Sequence, residues 1–438
     1  MFYVGKKEML NKKVLDYPKI NEKVYEYKLE NGLKVVIIKK NDFKKYAAAF
    51  STTFGGNDDE FFDKDNNTKF KLPYGTAHFL EHKTFEIAGG VDVSLLFSHL
   101  GVNVNAYTDY THTCYYIDGY KNYYEALSLL IDFVQSPSFT KKSINKEKGI
   151  ILQEYKATLD SPNSKIARQV KQNLYKRAYV KDILGNITSI SNMNYNDIKL
   201  AYDTLYHPSN MVLCIVGDVD IDKTIKLIED NQNNKTFNKT PNVERIDYVE
   251  NKQVKKRSNL NLEIPAPIVH IALRIDKNKN SESEKLQLAY GLSIFIQKLC
   301  GSSSFAKEDM MKKELIMSFD YDFQDNDNRY IYAYFIARTN KPDEYIKYMK
   351  KLFKNIANIR LTEEEFDMYK KALIGQGMYK LNDVSELVFS YADSKISDSN
   401  YFDDIEKIKS LRIEDVYEAS KYLNINNMTI VKAMPSIK

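Results

Sequence analysis

Five consecutive residues, His78-Phe79-Leu80-Glu81-His82, gather the side chains with the most chemistry in this sequence. On a helix, positions i and i+4 share a face, so both imidazoles can turn toward one ion, with Glu81 at i+3 beside them. Two neutral imidazoles suit zinc, which in a reactive site keeps one coordination position open for water. A carboxylate next to that water can take its proton. As purely structural residues the three are awkward, because a buried carboxylate without a partner is costly. Two imidazoles and a water leave zinc one ligand short, which calls for a carboxylate from another element. The run from Glu147 to Glu154 offers two, nearly on one helical face. Glu154 follows the apolar run Ile150-Ile151-Leu152 and reads as the buried ligand, with Glu147 orienting a ligand or the water from behind. Spacing alone leaves the reverse assignment open.

These residues need a frame. Val24–Leu29 and Leu33–Lys39 flank Asn31-Gly32, a hairpin signal suited to a type I′ turn. Ala47–Phe54 reads as a third strand, Asp58–Lys71 as a polar loop, and Thr76–Phe85 as the helix that carries the motif. Val91–Leu100 reads as a helix stopped by Gly101. Strands Val102–Thr108 and Thr113–Asp118 follow, then helices near Lys121–Gln135, Lys141–Leu159 and Ser164–Tyr175. Asn194–Tyr206 is amphipathic, and Met211–Gly217 is a continuously apolar strand. The second half repeats the plan: strand Val269–Ile275, a helix opened by Ser281-x-x-Glu284, paired strands Met317–Gln324 and Tyr330–Ala337, and a helix from Thr362-x-x-Glu365 to about Lys380. In both halves an amphipathic helix leads into Asn-Met and an apolar strand, at Asn210-Met211 and at Asn427-Met428. Duplication of an α+β domain is therefore expected. The expected division is a metal-binding domain over 1–232, a linker over 233–261 and a domain of related fold over 262–438. Each domain would be a mostly antiparallel sheet with helices packed on one face.

The composition excludes several classes. At 438 residues, with 43% hydrophobic and 28% charged, the chain can bury more than one core. A net charge of +5, from 64 basic and 59 acidic side chains, is too balanced to indicate nucleic acid. The basic run Lys255-Lys256-Arg257 reads as solvated linker. Cys114, Cys214 and Cys300 lie far apart in apolar stretches, so buried thiols are expected rather than a disulfide framework or a cysteine zinc site. Nowhere do 18 apolar residues run together, so no membrane span is expected. The opening residues hold no apolar signal segment, which points to the cytoplasm.

The H-x-x-E-H order, the inverse of H-E-x-x-H, is a peptidase signature. Together with the Glu147…Glu154 pair and Gly101-Val102-Asn103-Val104-Asn105-Ala106-Tyr107-Thr108, it resembles the pitrilysin/insulinase family of zinc metallopeptidases. The short bacterial members similar to the mitochondrial processing peptidase look nearest. Further matches lie at Leu184-Gly185, His207-Pro208-Ser209-Asn210-Met211, Val216-Gly217-Asp218 and Gly301-Ser302-Ser303-Ser304. The resemblance implies zinc on His78, His82 and Glu154, with Glu81 as catalytic base and Glu147 supporting the site. It implies that the strand carrying Asn105-Ala106-Tyr107-Thr108 is an edge strand to which an extended peptide substrate adds, with Asn105, Ala106 and Tyr107 binding it. It also implies four such domains, from one long chain or two short ones, around a chamber. Many members carry an Arg and a Tyr in the second half that reach the substrate; here Met311 and Met317 fall at those places, with Arg329-Tyr330 as a nearby substitute. A heterodimer with a related subunit that supplies the Arg and Tyr is expected, with a homodimer as the alternative. A second functional reading is a non-catalytic peptide-binding or scaffold subunit, which would be expected to show a broken motif.

Overall fold

The computed structural model describes residues 12–436 apart from 88, 178, 247–249, 251–253, 278–281 and 325–328. Ser281 of the first expected capping box lies outside that set. The second box is formed: Thr362 N–H donates to Glu365 Oε2 at 3.0 Å, and Glu365 N–H donates to Thr362 Oγ1 at 3.1 Å.

The chain forms two compact units, and neither is a contiguous stretch. The first takes in Met1–Tyr155, Lys181–Asp247 and Tyr379–Tyr401; the second takes in Lys156–Val180, Tyr248–Met378 and Phe402–Lys438. This departs from the division at 232 and 262, because each half of the sequence gives a helix to the unit built mainly from the other half.

The sheet of the first unit comprises β1 (Lys12–Tyr17), β2 (Glu22–Lys28), β3 (Lys34–Lys39), β4 (Tyr46–Thr52), β5 (Val102–Thr108), β6 (Thr113–Gly119) and β7 (Met211–Gly217). Their order is β1-β2-β3-β7-β4-β6-β5, antiparallel throughout except for the β3–β7 pair. In the second unit, β8 (Arg257–Leu262), β9 (Ile268–Asp276), β10 (Ser318–Gln324), β11 (Tyr330–Arg338) and β12 (Met428–Pro435) run in the order β8-β12-β9-β11-β10. Only β8–β12 is parallel. The five strands β3-β7-β4-β6-β5 and β8-β12-β9-β11-β10 therefore share order and sense. The Asn-Met strands expected to correspond, β7 and β12, occupy the same place. The α+β duplication read from the sequence is the architecture observed.

Three local expectations differ. In the first hairpin only Gly32 has a positive φ, of 90°. Gly32 N–H donates to Leu29 O, and Leu29 N–H to Leu33 O, each at 2.9 Å. The turn is thus centred on Glu30-Asn31 with Gly32 after it as a bulge, not a type I′ turn. The stretch expected as a polar loop contains strands Glu60–Asp63 and Thr68–Lys71, held because fully buried Phe61 stacks on Phe70 at 5.1 Å. The expected linker contains strand Val243–Arg245, which pairs with Glu60–Asp63, and the start of β8.

Every residue of β4 and β7 is buried. A strand buried at every position needs cover on both faces. One face, with Val35, Ile37, Phe50, Tyr115, Leu213 and Ile215, packs against the main helical layer. The other face presents small residues, among them Ala47, Ala49, Ser51, Cys114 and Cys214. Helix Val384–Ile396, from the second half of the sequence, lies over it and buries Val384, Leu387, Val388 and Tyr391. Each such side chain is worth about 1.5–3 kcal/mol. An exposed ion pair such as Lys34–Asp398 contributes ~0–1 kcal/mol, so apolar burial holds this helix. The second sheet mirrors the arrangement. Helix Pro162–Leu174 covers it, with Asn173 donating to Thr429 Oγ1 at 3.0 Å and Arg274 donating to Leu174 O at 2.5 Å. Helices on one face describe the main layer of each sheet, and the exchanged helix covers the other. All three cysteines are buried thiols, as expected.

Buried His112, in the turn between β5 and β6, joins that turn to the covering helix. Its Nδ1 lies 3.1 Å from Asp109 and its Nε2 lies 3.2 Å from Asp393. Burial pushes the imidazole pKa down, but the hydrogen bonds and charges of Asp109 and Asp393 outweigh it and raise the value from 6.5 to about 9. A raised pKa contributes stability that is full below pH 6.5 and is lost as pH rises through 9, on the order of 1–3 kcal/mol. The stability gap between wild type and Asp393→Asn in urea unfolding should therefore narrow from pH 6.5 to 9.5. A gap that stays constant over that range would show that the pair is not charged in the folded protein.

Candidate metal centre

The site is built from residues of two helices that lie in the first unit, the second helix continuing past Tyr155 out of that unit. Helix α1 (Thr76–Thr84) carries the His78–His82 motif, and helix α2 (Lys141–Asp160) carries Glu147 and Glu154. The start of α1 is set by a close backbone approach. Gly75 has φ 88°, and a Cβ there would sit 2.4 Å from Leu184 O; a Cβ on Gly185, φ 92°, would sit 2.5 Å from Tyr74 O. Only glycine fits either place. From that start α1 buries Ala77, Phe79 and Leu80, and its two imidazole rings lie with centroids 4.6 Å apart.

The Nε2 atoms of both rings face Glu154. His78 Nε2 is 3.9 Å from one carboxylate oxygen, and His82 Nε2 is 3.6 Å from the other. One ligand atom from each of His78, His82 and Glu154 lies within 4.8 Å of the other two. Behind them, His82 Nδ1 lies 3.0 Å from Glu147 Oε1, which fixes the ring and leaves Nε2 for an ion. Glu81, on the same turn, is held by its Oε2, which accepts a hydrogen bond from Thr108 Oγ1 at 2.6 Å.

The electrostatics suit a cation. Burial, with the neighbouring His82 ring, lowers the pKa of His78 to about 3, so it is a neutral donor. Burial also works against a charged His82, but the Glu147 bond and the charges of Glu147, Glu81 and Glu154 outweigh it and raise its pKa. Burial raises Glu81; the Thr108 bond and His82 oppose that rise, and the Glu154 charge adds to it. Two imidazole nitrogens and one carboxylate, with a second carboxylate oriented behind one ring, fit zinc with an open position.

One expectation is reversed. Glu147, not Glu154, is the buried carboxylate, with side chains 11% and 42% exposed respectively. The buried stripe of α2 runs Ile144, Glu147, Ile151, and Ile150 of the apolar run faces solvent. Glu154 continues the stripe beyond the core, where a ligand of an open site belongs.

Strand β5 is an edge of its sheet, with no strand beyond it among the described residues. Asn105 is exposed and its Oδ1 accepts from Ala106 N–H at 2.8 Å. Tyr107, two residues on and on the same face as Asn105, away from α1, has its ring against His112 and Phe389. Thr108 closes the stretch that carries the family resemblance but was given no role from the sequence; it alternates with Val104 and Ala106 onto the face toward α1. In the second unit Met311 and Met317 are exposed side chains. Tyr330, the suggested substitute, is buried among Tyr175, Tyr179 and the Arg274 guanidinium.

Fold and site together define a duplicated α+β protein with a metallopeptidase-type metal cluster on two helices of one of its two units. The model of the insulinase family, peptidase family M16, matches residues 70–189, and that of the peptidase M16 inactive domain matches residues 192–373. The chain is 31% identical over 427 residues to the uncharacterized zinc protease YmfH of Bacillus subtilis, covering 97% of this chain and 99% of that protein. It is 29% identical over 158 residues to the β subunit of the mitochondrial-processing peptidase of Bos taurus, covering 35% of this chain and 32% of that one. The crystal structure of an M16-like peptidase from Alicyclobacillus acidocaldarius superposes with a TM-score of 0.90 at 27% identity, over 96% of this chain and 100% of that one. Pitrilysin shares the fold, with a TM-score of 0.75 at 16% identity; the match spans 98% of this chain and 46% of pitrilysin. The chain belongs to the M16, or pitrilysin/insulinase, family of zinc peptidases.

Removing each α2 carboxylate should separate their roles. Glu154→Gln should abolish stoichiometric zinc binding, whereas Glu147→Gln should weaken it by about 10- to 100-fold. Zinc content after dialysis against a graded chelator measures both. Complete loss in Glu147→Gln with retention in Glu154→Gln would reverse the assignment.

Proposed function

We propose that the chain is a zinc-dependent endopeptidase that cleaves extended peptides and works with a second, related chain. The observation that carries this reading is the convergence of His78 Nε2, His82 Nε2 and Glu154 in front of Glu81. Zinc, when bound, polarises a carbonyl oxygen and lowers the pKa of water. His78, His82 and Glu154 would hold it, and Glu147 keeps the His82 ring turned toward it. Glu81, anchored through Oε2, has its other oxygen left to take a proton from water as the new C–O bond forms. It then passes that proton to the departing amine nitrogen as the C–N bond breaks. The β5 edge would take the peptide as an added strand, with the Ala106 N–H released from Asn105 to an incoming carbonyl. Main-chain pairing reads extended backbone before side chains, which suits unfolded substrates.

Two features support a second chain. The match to the periplasmic protease PqqL of Escherichia coli spans 94% of this chain but 47% of PqqL, much as with pitrilysin. Met311 and Met317 stand where an Arg and a Tyr are expected, and neither can donate a hydrogen bond to a developing oxyanion. A related subunit would bring those donors and complete the enclosure.

The Glu81→Gln variant should keep its zinc and lose hydrolysis of a quenched peptide, since a carboxamide cannot accept the proton. Turnover above a few per cent of wild type would refute the role of Glu81. Assays of the isolated chain, alone and mixed with a related M16 chain from the same organism, should show a gain on mixing. Full activity of the isolated chain with no gain would favour self-pairing.

A further inference from the structure

We propose that Thr108 is the positioning residue for the base: its hydroxyl fixes one oxygen of Glu81 and so determines which oxygen handles the proton. The inference rests on the hydrolase reading above and adds a residue to it. Thr108 ends β5 and stands opposite Thr113 on β6. Its Oγ1 lies 2.6 Å from Glu81 Oε2 and 3.3 Å from Thr113 Oγ1. The Thr113 hydroxyl donates its proton to Phe54 O at 2.9 Å, within a fully buried setting. Each hydroxyl has one proton. With Thr113 committed to Phe54, Thr113 can only accept from Thr108, and the single Thr108 proton goes to the nearer acceptor, the Glu81 carboxylate oxygen.

The residue type matters as much as the place. A β-branched side chain on a strand is stiff at χ1, so the hydroxyl is aimed by the backbone of β5 itself. Val104, Ala106 and Thr108 alternate onto the face toward α1, and Val104 and Ala106 pack into the core there. The orientation of Glu81 is thereby tied to the strand whose edge, at Asn105-Ala106-Tyr107, is proposed to take the peptide. Hydrogen bonding from Thr108 holds Oε2 back and leaves Oε1 as the oxygen available to water.

The experiment compares Thr108→Val, which keeps the shape and removes the donor, with Thr108→Ser, which keeps the donor. Zinc content, kcat and KM for a quenched peptide are measured for both and for wild type. Thr108→Val should lower kcat by about 10- to 100-fold with KM and zinc content unchanged, and Thr108→Ser should recover most of the rate. A wild-type kcat in Thr108→Val, or a Thr108→Ser variant as slow as Thr108→Val, would overturn the proposal. Loss of zinc or a rise in KM in parallel with the fall in rate would assign Thr108 a structural role instead and overturn it equally. Should Thr108→Val fail to fold, the Thr108→Ser and Thr108→Ala pair provides the same contrast between donor and no donor. A wild-type protein with zinc bound that stays inert both alone and mixed with the related chain would count against the hydrolase reading, a result distinct from any of these.

Discussion

The hydrogen bond between His82 Nδ1 and Glu147 Oε1 is the join on which the metal centre depends. Helix α1 is only nine residues long and is buried along most of its length, so its imidazoles cannot search for a ligand. The third ligand comes from a different helix, and a shift of one residue along α2 would turn Glu154 away by about 100°. A buried carboxylate costs free energy unless it is paired. Glu147 is buried, and its partner is the ring that must be aimed. The desolvation cost of Glu147 is thus offset only in the register that also brings Glu154 to both Nε2 atoms.

The two units show what the duplicated frame does and does not require. In chain order, β4, α1, helix Val93–Leu100, β5 and β6 are answered by β9, helix Glu282–Cys300, helix Phe305–Lys312, β10 and β11. The helix in the place of α1 carries Leu288, Leu292, Phe295 and Ile296 as core and has no histidine. Among the described residues the single metal-capable cluster is the one on α1 and α2. The fold is therefore stable with an apolar helix in that position. The histidines and glutamates of the first unit are additions for chemistry rather than requirements of the sheet.

How much of this was legible in the sequence follows from the range of each interaction. His78, Glu81 and His82 could be read directly because one helical turn fixes their neighbourhood. Choosing between Glu147 and Glu154 needed contact across helices, and the inference from the apolar run failed on burial because Ile150 faces solvent while Ile151 faces the core. The strand order of the second sheet was foreshadowed by the repeated Asn-Met strand, since that strand sits at the parallel junction in both units. Thr108 was hidden because a hydroxyl at a strand end has no pattern of its own; its meaning comes from α1 packing above it. The strands at 60–63 and 68–71 were hidden by their charged alternation around a single buried Phe61.

The exchanged helices were hidden for a different reason, and they bear on what a domain is in this protein. An amphipathic pattern tells that a helix has a partner, not which sheet the partner is in. The strands held the missing information: β7 reads Val212-Leu213-Cys214-Ile215-Val216 without a polar break, so it had to be covered on both faces. The small residues Ala47, Ala49 and Cys214 then specify the kind of cover, a helix that approaches closely. Lys395 on that helix adds its ion pair with Glu26 of β2 at 2.5 Å. Cutting the chain between its halves would leave that face open, with its alanines, valines and Glu26 exposed together. The unit that carries the metal cluster is therefore completed by residues more than two hundred positions away from its ligands, and the second half of the sequence is part of the first unit's core.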